Sequence, residues 1–293
     1  MSVLRIAALV AGFIFGLFTS VAEAAPALWR VSSPTTEIYL FGTLHALPPG
    51  VAWRTPAYDL AYARAESVWF EADLGAADPA TVGGIVARYG VDAERGLSQK
   101  LAAADLRALR GETPDLARIE HLRPWAAALM LSMEPVLAKG AAVETGADLT
   151  VTRQARSGGK PVRAFETLED QARMFASLPE GAEVKYLSQV IHERHHGGRL
   201  FSLRPSAASL ERQWLDGDLA RLGPSLVRDL AHDNPALYDV LLKRRNLAWT
   251  DTLSRELAGR HVELVNVGAL HMVGPDGLPA LLAARGFQVD RLQ

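Results

Sequence analysis

Four apolar runs in this chain are each followed at once by an imidazole or a carboxylate. Residues 37–41 lead into Gly42-Thr43-Leu44-His45, and residues 67–70 into Glu71-Ala72-Asp73. Residues 161–165 lead into Glu166-Thr167-Leu168-Glu169, and residues 262–267 into Gly268-Ala269-Leu270-His271. Two of the four share the spelling Gly-x-x-His. Two imidazoles with carboxylates and no thiol make a plausible set of ligands for Zn, Mn or Co, where imidazole nitrogen and carboxylate oxygen mix. The same groups serve equally as a metal-free acid–base set, with a His near neutrality and a carboxylate that orients it. Sequence alone does not separate the two.

For these groups to act together, the runs must be neighbouring strands. Each is four to six residues long and rich in β-branched and aromatic residues, and 287–289 is a fifth candidate strand. Helically spaced segments alternate with them at 56–65, 101–110, 124–138, 148–156, 207–219, 235–257 and 278–284. That alternation predicts an α/β fold with a mixed or largely parallel sheet and long helical insertions at about 76–140 and 173–234. In open α/β sheets ligands bind beyond the carboxyl ends of the strands, so four parallel strands would collect both His and both Glu on one rim. Gly42 and Gly268 would let the chain turn off its strand and let a ligand approach the backbone.

Composition narrows the class of function. The chain has 293 residues, 49% of them hydrophobic, and 31 Lys+Arg stand against 33 Asp+Glu. A globular protein follows, without the basic surplus that a nucleic-acid partner would require. With no Cys, disulfide scaffolds, thiolate metal sites and a Cys nucleophile are excluded. Residues 1–24 read as a secretory signal, with Arg5, an uncharged run at 6–18 and Ala22-Glu23-Ala24 for cleavage after Ala24. The run is shorter than the roughly 20 residues of a spanning helix. The expectation is a single secreted or periplasmic domain, 25–293, with no membrane span after cleavage.

The ordered motifs resemble the TraB/GumN family, which includes Tiki-type metalloproteases and pheromone-shutdown proteins. The likeness runs from about Leu28 to Leu292 and rests on both Gly-x-x-His motifs, Phe70-Glu71-Ala72-Asp73-Leu74, Gly146-Ala147-Asp148 and Glu166-Thr167-Leu168-Glu169-Asp170-Gln171. It continues through Trp214-Leu215-Asp216-Gly217-Asp218 and Arg245-Asn246 with Trp249. Where the family commonly has glycine, this chain has Phe165 and Ala269. The resemblance implies a site of His45, Glu71, Glu166 and His271 and, for the Tiki branch, divalent-metal-dependent peptide hydrolysis. Arg245 and Asn246 match its Arg-Asn pair; the arginine would neutralise an oxyanion or hold a carboxylate. Asp148 and Gln171 would support the ligands from behind, with a helix N-cap as the alternative for Asp148; Asp73 would orient a ligand or face solvent.

Two alternatives stand beside a metal-dependent hydrolase acting on peptide bonds. One is a protein that sequesters a peptide or small molecule in the same cleft; the other is a metal-free esterase with His as base. A further motif, His192-Glu193-Arg194-His195-His196, spells H-E-x-x-H. Its charged inner residues, and Gly197-Gly198 directly after it, favour a solvent-facing helix end over a zinc helix.

Overall fold

The computed structural model describes residues 25–76, 78–113, 116–195, 207–219 and 223–293. Six strands form one mixed sheet: β1 Leu28–Ser32, β2 Glu37–Thr43, β3 Ser67–Ala72, β4 Val162–Glu166, β5 Val262–Gly268 and β6 Gln288–Arg291. Their spatial order is β4-β3-β5-β2-β1-β6. The pairs β4–β3, β3–β5 and β5–β2 are parallel, whereas β1 is antiparallel to both β2 and β6. The four strands that carry His or Glu are therefore the four contiguous parallel ones, and the fold is α/β as the alternation predicts.

Both faces of the sheet are covered, which is why these strands read as near-continuous apolar runs rather than alternating ones. Side chains still divide by the two-residue period. Tyr39, Phe41, Val68, Phe70 and Leu264 point to one face, where they meet Tyr58, Val151 and Trp214 from helices Pro56–Arg64, Ala147–Ser157 and Ala207–Leu215. Ile38, Leu40, Trp69, Val265 and Val267 point to the other and meet Trp249, Leu253, Leu278 and Leu282 from Arg244–Glu256 and Leu278–Ala284. Helices Ala103–Glu112, Pro124–Ala138 and Glu180–His195 build a core of their own around Leu109, Leu131 and Leu187.

Two local features differ from the sequence expectation. Leu28–Ser32 is a strand although Arg30 interrupts its apolar pattern; long-range partners make it, with Arg30 opposite Asp290 and their side chains paired at 2.9 Å. The segment 235–257 is helical but not one uniform helix. A short turn, Pro235–Tyr238, passes into a π-helical stretch, Asp239–Lys243, before Arg244–Glu256 continues as α-helix. Widened turns of this kind are often found at functional sites, and this one immediately precedes Arg245. Among the described residues no helix is long and apolar enough to cross a membrane.

Candidate functional site

Register sets the level of each site residue. Thr43 is paired with Gly268, Phe70 with Asn266, and Ala72 with Glu166. The carboxyl ends of β2, β5, β3 and β4 thus finish within about a residue of one another, and His45, His271, Glu71 and Glu166 leave the sheet on the same rim.

His45 is held from behind by Asp148. Its Nδ1 lies 2.9 Å from Asp148 Oδ2, while Thr43 Oγ1 donates to Oδ1 of the same carboxylate at 2.9 Å. A carboxylate only accepts, so Nδ1 carries the hydrogen and Nε2 is turned outward, 3.8 Å from Glu71 Oε1. Asp148 reaches this place because the helix Ala147–Ser157 begins directly against the loop after β2, where Ala147 N donates to Leu44 O at 3.1 Å. Gly146 makes that approach possible, since a Cβ there would run into the His45 carbonyl.

Glu71 and Glu166 are joined by Arg245. Glu71 Oε1 accepts the Gly268 N–H at 2.7 Å, and Oε2 accepts Arg245 Nη2 at 2.7 Å. Glu166 accepts Arg245 Nε at 3.0 and 3.1 Å and Nη2 at 2.8 Å, and Trp249 Nε1 donates to it at 3.1 Å. Arg245 Nη1 donates to the Leu241 carbonyl and to His271 Nε2, both at 3.2 Å. All five guanidinium N–H groups therefore have internal acceptors. Of the two roles expected for Arg245, this geometry is that of a holder of carboxylates, with no donor left over for a substrate oxyanion. Gly268 matters for a steric reason: a Cβ there would lie 3.0 Å from Glu71 Oε1 and 3.3 Å from His45 Nε2. Gly42 is close-packed in the same way, its Cβ position 3.0 Å from Ala269 Cα. Neither glycine has the positive φ that a sharp turn off the strand would require.

His271 is buried, and Asn246 fixes its tautomer. Asn246 Nδ2 donates to the Asp276 carbonyl at 2.7 Å, which turns Oδ1 toward His271 Nδ1 at 2.6 Å. The ring lies against Trp249, centroids 4.5 Å apart. With Nδ1 donating, Nε2 presents its lone pair 3.6 Å from Glu71 Oε1. Both imidazoles therefore aim Nε2 at the same carboxylate oxygen.

Electrostatics follows from this packing. Burial would raise the Glu71 carboxyl, but positive charge on His271 when protonated, on Arg245 and on His45, together with the Gly268 N–H, holds it far below the usual carboxylate range. Asp148 raises His45 to about 9 against the opposing effect of burial, with Glu71 adding to it. Burial lowers His271 to about 3; Glu71 opposes the shift and Arg245 reinforces it. At neutral pH His271 is accordingly uncharged, so Arg245 and His45 are the cations that keep Glu71 ionised. If His45 gives up its proton, the carboxylates of Glu71, Glu166 and Asp148 are left with one cation, Arg245, which pairs with the first two. That leaves two negative charges, which suits a divalent cation.

A cavity of about 300 Å³ opens onto His45, Glu71, Arg245 and His271. Glu166 lines a different cavity, of about 320 Å³, on the other side of Arg245 beside Asp170 and Arg244. The four expected ligands are therefore not one donor set: Glu166 is committed to Arg245 and Trp249, and the group facing the first cavity is His45, Glu71 and His271. These three ligand atoms are more widely spread than a compact site. Among the described residues the three-group cluster with ligand atoms all within 4.8 Å is instead Glu256, His261 and Glu263, at the opposite end of β5 and bound up with Arg163.

The supporting residues divide. Asp148 and Asn246 orient the two imidazoles, whereas Asp73 turns away to pair with Arg156 at 2.6 Å. Gln171 reaches Glu166 only at 3.5 Å. Trp249 and Thr43 were not expected as site residues. Two signals pointed to Trp249: it stands with Arg245-Asn246 in the family resemblance, and it lies four residues after Arg245 on the same helical face. Phe165, where the family resemblance expects glycine, stacks on Trp249 with centroids 4.9 Å apart and lies equally close to Trp69. In the H-E-x-x-H segment, His192 Nε2 lies 3.3 Å from Asp105, and Arg194 donates to the Leu131 carbonyl. His196 lies outside the described residues, as does the signal-like segment 1–24.

Comparison with known proteins bears on the family. The chain is 32% identical over 175 residues to the uncharacterized protein YbaP of Escherichia coli K12, and equally to YbaP of Shigella flexneri. The alignment covers 59% of this chain and 60% of each relative, so it spans well under two thirds of their length. No solved structure matches. The profile of the TraB/PrgY/gumN family matches residues 27–291, almost the whole described chain, and the protein therefore belongs to the TraB/PrgY/gumN family.

Proposed function

We propose that this protein is a hydrolase that acts on peptide bonds at the rim formed by His45, Glu71 and His271, with a divalent cation of the Mn, Co or Zn kind as its cofactor. The observation that carries this reading is the shared aim of two imidazoles. Each Nδ1 is tied to a side-chain acceptor, and each Nε2 faces Glu71 Oε1, at 3.8 and 3.6 Å. Metal-bound histidines characteristically have their second nitrogen occupied in this way, which fixes the tautomer and strengthens the ligand. The donor types fit a divalent ion, and so does the surplus of negative charge.

His45 Nε2, Glu71 Oε1 and His271 Nε2 would hold the cation, and Arg245 Nη1 would have to release His271 Nε2. What such a cation supplies is charge that acidifies water and polarises a carbonyl. Asp148 and Asn246 engage Nδ1 of the two imidazoles, so that Nε2 of each is the nitrogen turned toward Glu71. Arg245 fixes Glu71 through Oε2, so that Oε1 stays aimed into the cavity.

One observation favours a second, metal-free reading. His45 retains its proton at neutral pH while Glu71 is ionised, which puts a proton donor and a proton acceptor 3.8 Å apart at the cavity mouth. Glu71 would accept the proton of an attacking water and His45 would protonate the leaving group. Sequestration without chemistry is the third outcome.

The test is elemental analysis of the purified protein beside His45→Ala and His271→Ala, with turnover of a peptide library before and after chelation. Loss of metal and of turnover in both variants is expected. Full metal occupancy in both folded variants defeats the metal assignment; turnover insensitive to chelator favours the acid–base pair; no turnover under any condition defeats the hydrolase.

The site is proposed to work outside the cytoplasm. Arg5, the uncharged run at 6–18 and Ala22-Glu23-Ala24 support this. A purified protein whose first residue is Ala25 is the expected result of N-terminal sequencing.

A further inference from the structure

Leucine supplies six of the thirteen residues that line the cavity over the site and every large apolar one. Leu44, Leu210, Leu226, Leu241, Leu242 and Leu270 surround the opening onto His45, Glu71 and His271. Two of them come from the Gly-x-x-His motifs themselves. In Gly42-Thr43-Leu44-His45 and in Gly268-Ala269-Leu270-His271 the residue directly before the imidazole is leucine, and both leucines line this one cavity. The others arrive from separate elements: Leu210 from Ala207–Leu215, Leu226 from Pro224–Asp233, and Leu241 and Leu242 from the π-helical turn. Five parts of the chain thus contribute the same chemistry to one wall.

The charged groups of the cavity are turned on one another: His45 faces Asp148 and Glu71, and Glu71 also accepts from Arg245 and the Gly268 N–H. Arg245 has spent all its N–H donors on Glu71, Glu166, Leu241 and His271, and the His271 ring nitrogens are both engaged. A charged substrate group would have to displace these internal pairs and be stripped of water against leucine. Apolar burial is what this wall can supply. A cavity of about 150 Å³ with aliphatic and aromatic walls accommodates benzene; one of about 300 Å³ has room for a branched aliphatic or aromatic side chain and the backbone next to it.

We infer that the third residue of each Gly-x-x-His motif, Leu44 and Leu270, together with Leu226 forms a specificity pocket, and that the substrate presents a large apolar side chain, of Leu or Phe type, beside the bond to be cleaved. The location of that bond rests on the hydrolase reading; the apolar pocket does not.

The experiment separates the two. Binding of N-acetyl-leucinamide, N-acetyl-phenylalaninamide, N-acetyl-aspartamide and N-acetyl-lysinamide is followed by NMR chemical-shift titration on the full chain and on Leu270→Ser and Leu226→Ser. These leucines lie on different elements and are only partly buried, so a folding failure in one leaves the other as the probe. The apolar amides are expected to bind at least about tenfold tighter than the charged ones, the discrimination typical of a hydrophobic pocket. Each serine variant is expected to lose most of that preference. Equal binding of all four amides, no binding of any at millimolar concentration, or an undiminished preference in both variants would overturn the pocket. Binding of apolar amides with no turnover of any Leu- or Phe-containing peptide leaves the pocket standing and removes the hydrolase, whereas turnover indifferent to the flanking side chain does the reverse.

Discussion

Acid should weaken this protein through one buried imidazole. His271 has a side chain only 5% exposed, lies under Trp249, and sits 3.2 Å from the Arg245 guanidinium. Burial, with Arg245 reinforcing it, lowers its pKa from 6.5 to about 3 although Glu71 pulls the other way. The folded-state value is below the unfolded one, so on acidification the unfolded chain takes up the proton first. The contribution is fully present above about pH 6.5 and is lost as pH falls toward about 3. At 1.36 kcal/mol per pH unit, two proton-binding curves with those midpoints differ by about 3 kcal/mol more at pH 4 than at pH 7. That is a large share of a total stability that is typically about 5–15 kcal/mol. The assay is urea denaturation of chelator-treated protein at pH 7, 5.5 and 4, beside His271→Gln, whose side chain stays neutral throughout. Glu71, held low, also loses its contribution in acid, but mainly below about pH 4.5 and in both proteins. Wild type should lose about 3 kcal/mol more than the variant between pH 7 and pH 4. Curves that run parallel to within about 0.5 kcal/mol would show that His271 is not a buried neutral group, and the electrostatic account of the site would fall with it.

Other perturbations address the remaining joints. Arg245→Met leaves Glu71 and Glu166 buried without their cation and should cost about 3–5 kcal/mol in chemical denaturation; Arg245→Lys should recover little, because an ammonium cannot make five directed bonds. Asp148→Asn removes the main cause of the raised His45 value, so the His45 ring should titrate well below about 9 by NMR, and an unchanged midpoint would refute the pairing. Gly268→Ala puts a methyl 3.0 Å from Glu71 Oε1 and 3.3 Å from His45 Nε2. It should reduce metal affinity or turnover by about tenfold or more while circular dichroism stays native, since small displacements at a reacting centre are costly.

Much of this arrangement was legible in the residues. Four apolar runs followed by His or Glu announced four strands with chemistry at their carboxyl ends, and the spelling Gly-x-x-His marked two of them. Helix boundaries at 124–138 and 278–284 could be read directly, each opening with Pro at or next to the first helical position. What the strand-end pattern could not convey is which carboxylate faces which partner. Glu71 and Glu166 occupy equivalent places in the sequence pattern, yet one faces the imidazoles and the other is enclosed by Arg245 and Trp249. The difference lies in strand order: β3 neighbours β5 directly, and β4 stands one strand further out. Asp73 illustrates the same limit, because only the tertiary approach of Arg156 turns it from the site.

Sequence by itself determined most of the element types, though not strand Leu28–Ser32 or the π-helical turn, as well as the absence of thiol chemistry and the identity of the groups delivered to the rim, since these depend on local periodicity and residue type. Tertiary structure decided the tautomers of His45 and His271, the full commitment of Arg245, and the meeting of leucines from five separate parts of the chain in one cavity. Those outcomes depend on contacts between residues far apart in the sequence, such as Glu71 and Arg245, 174 positions apart, and Glu71 and Gly268, 197 apart. No local pattern specifies such contacts; strand order, register and the close approach permitted at Gly146 and Gly268 do.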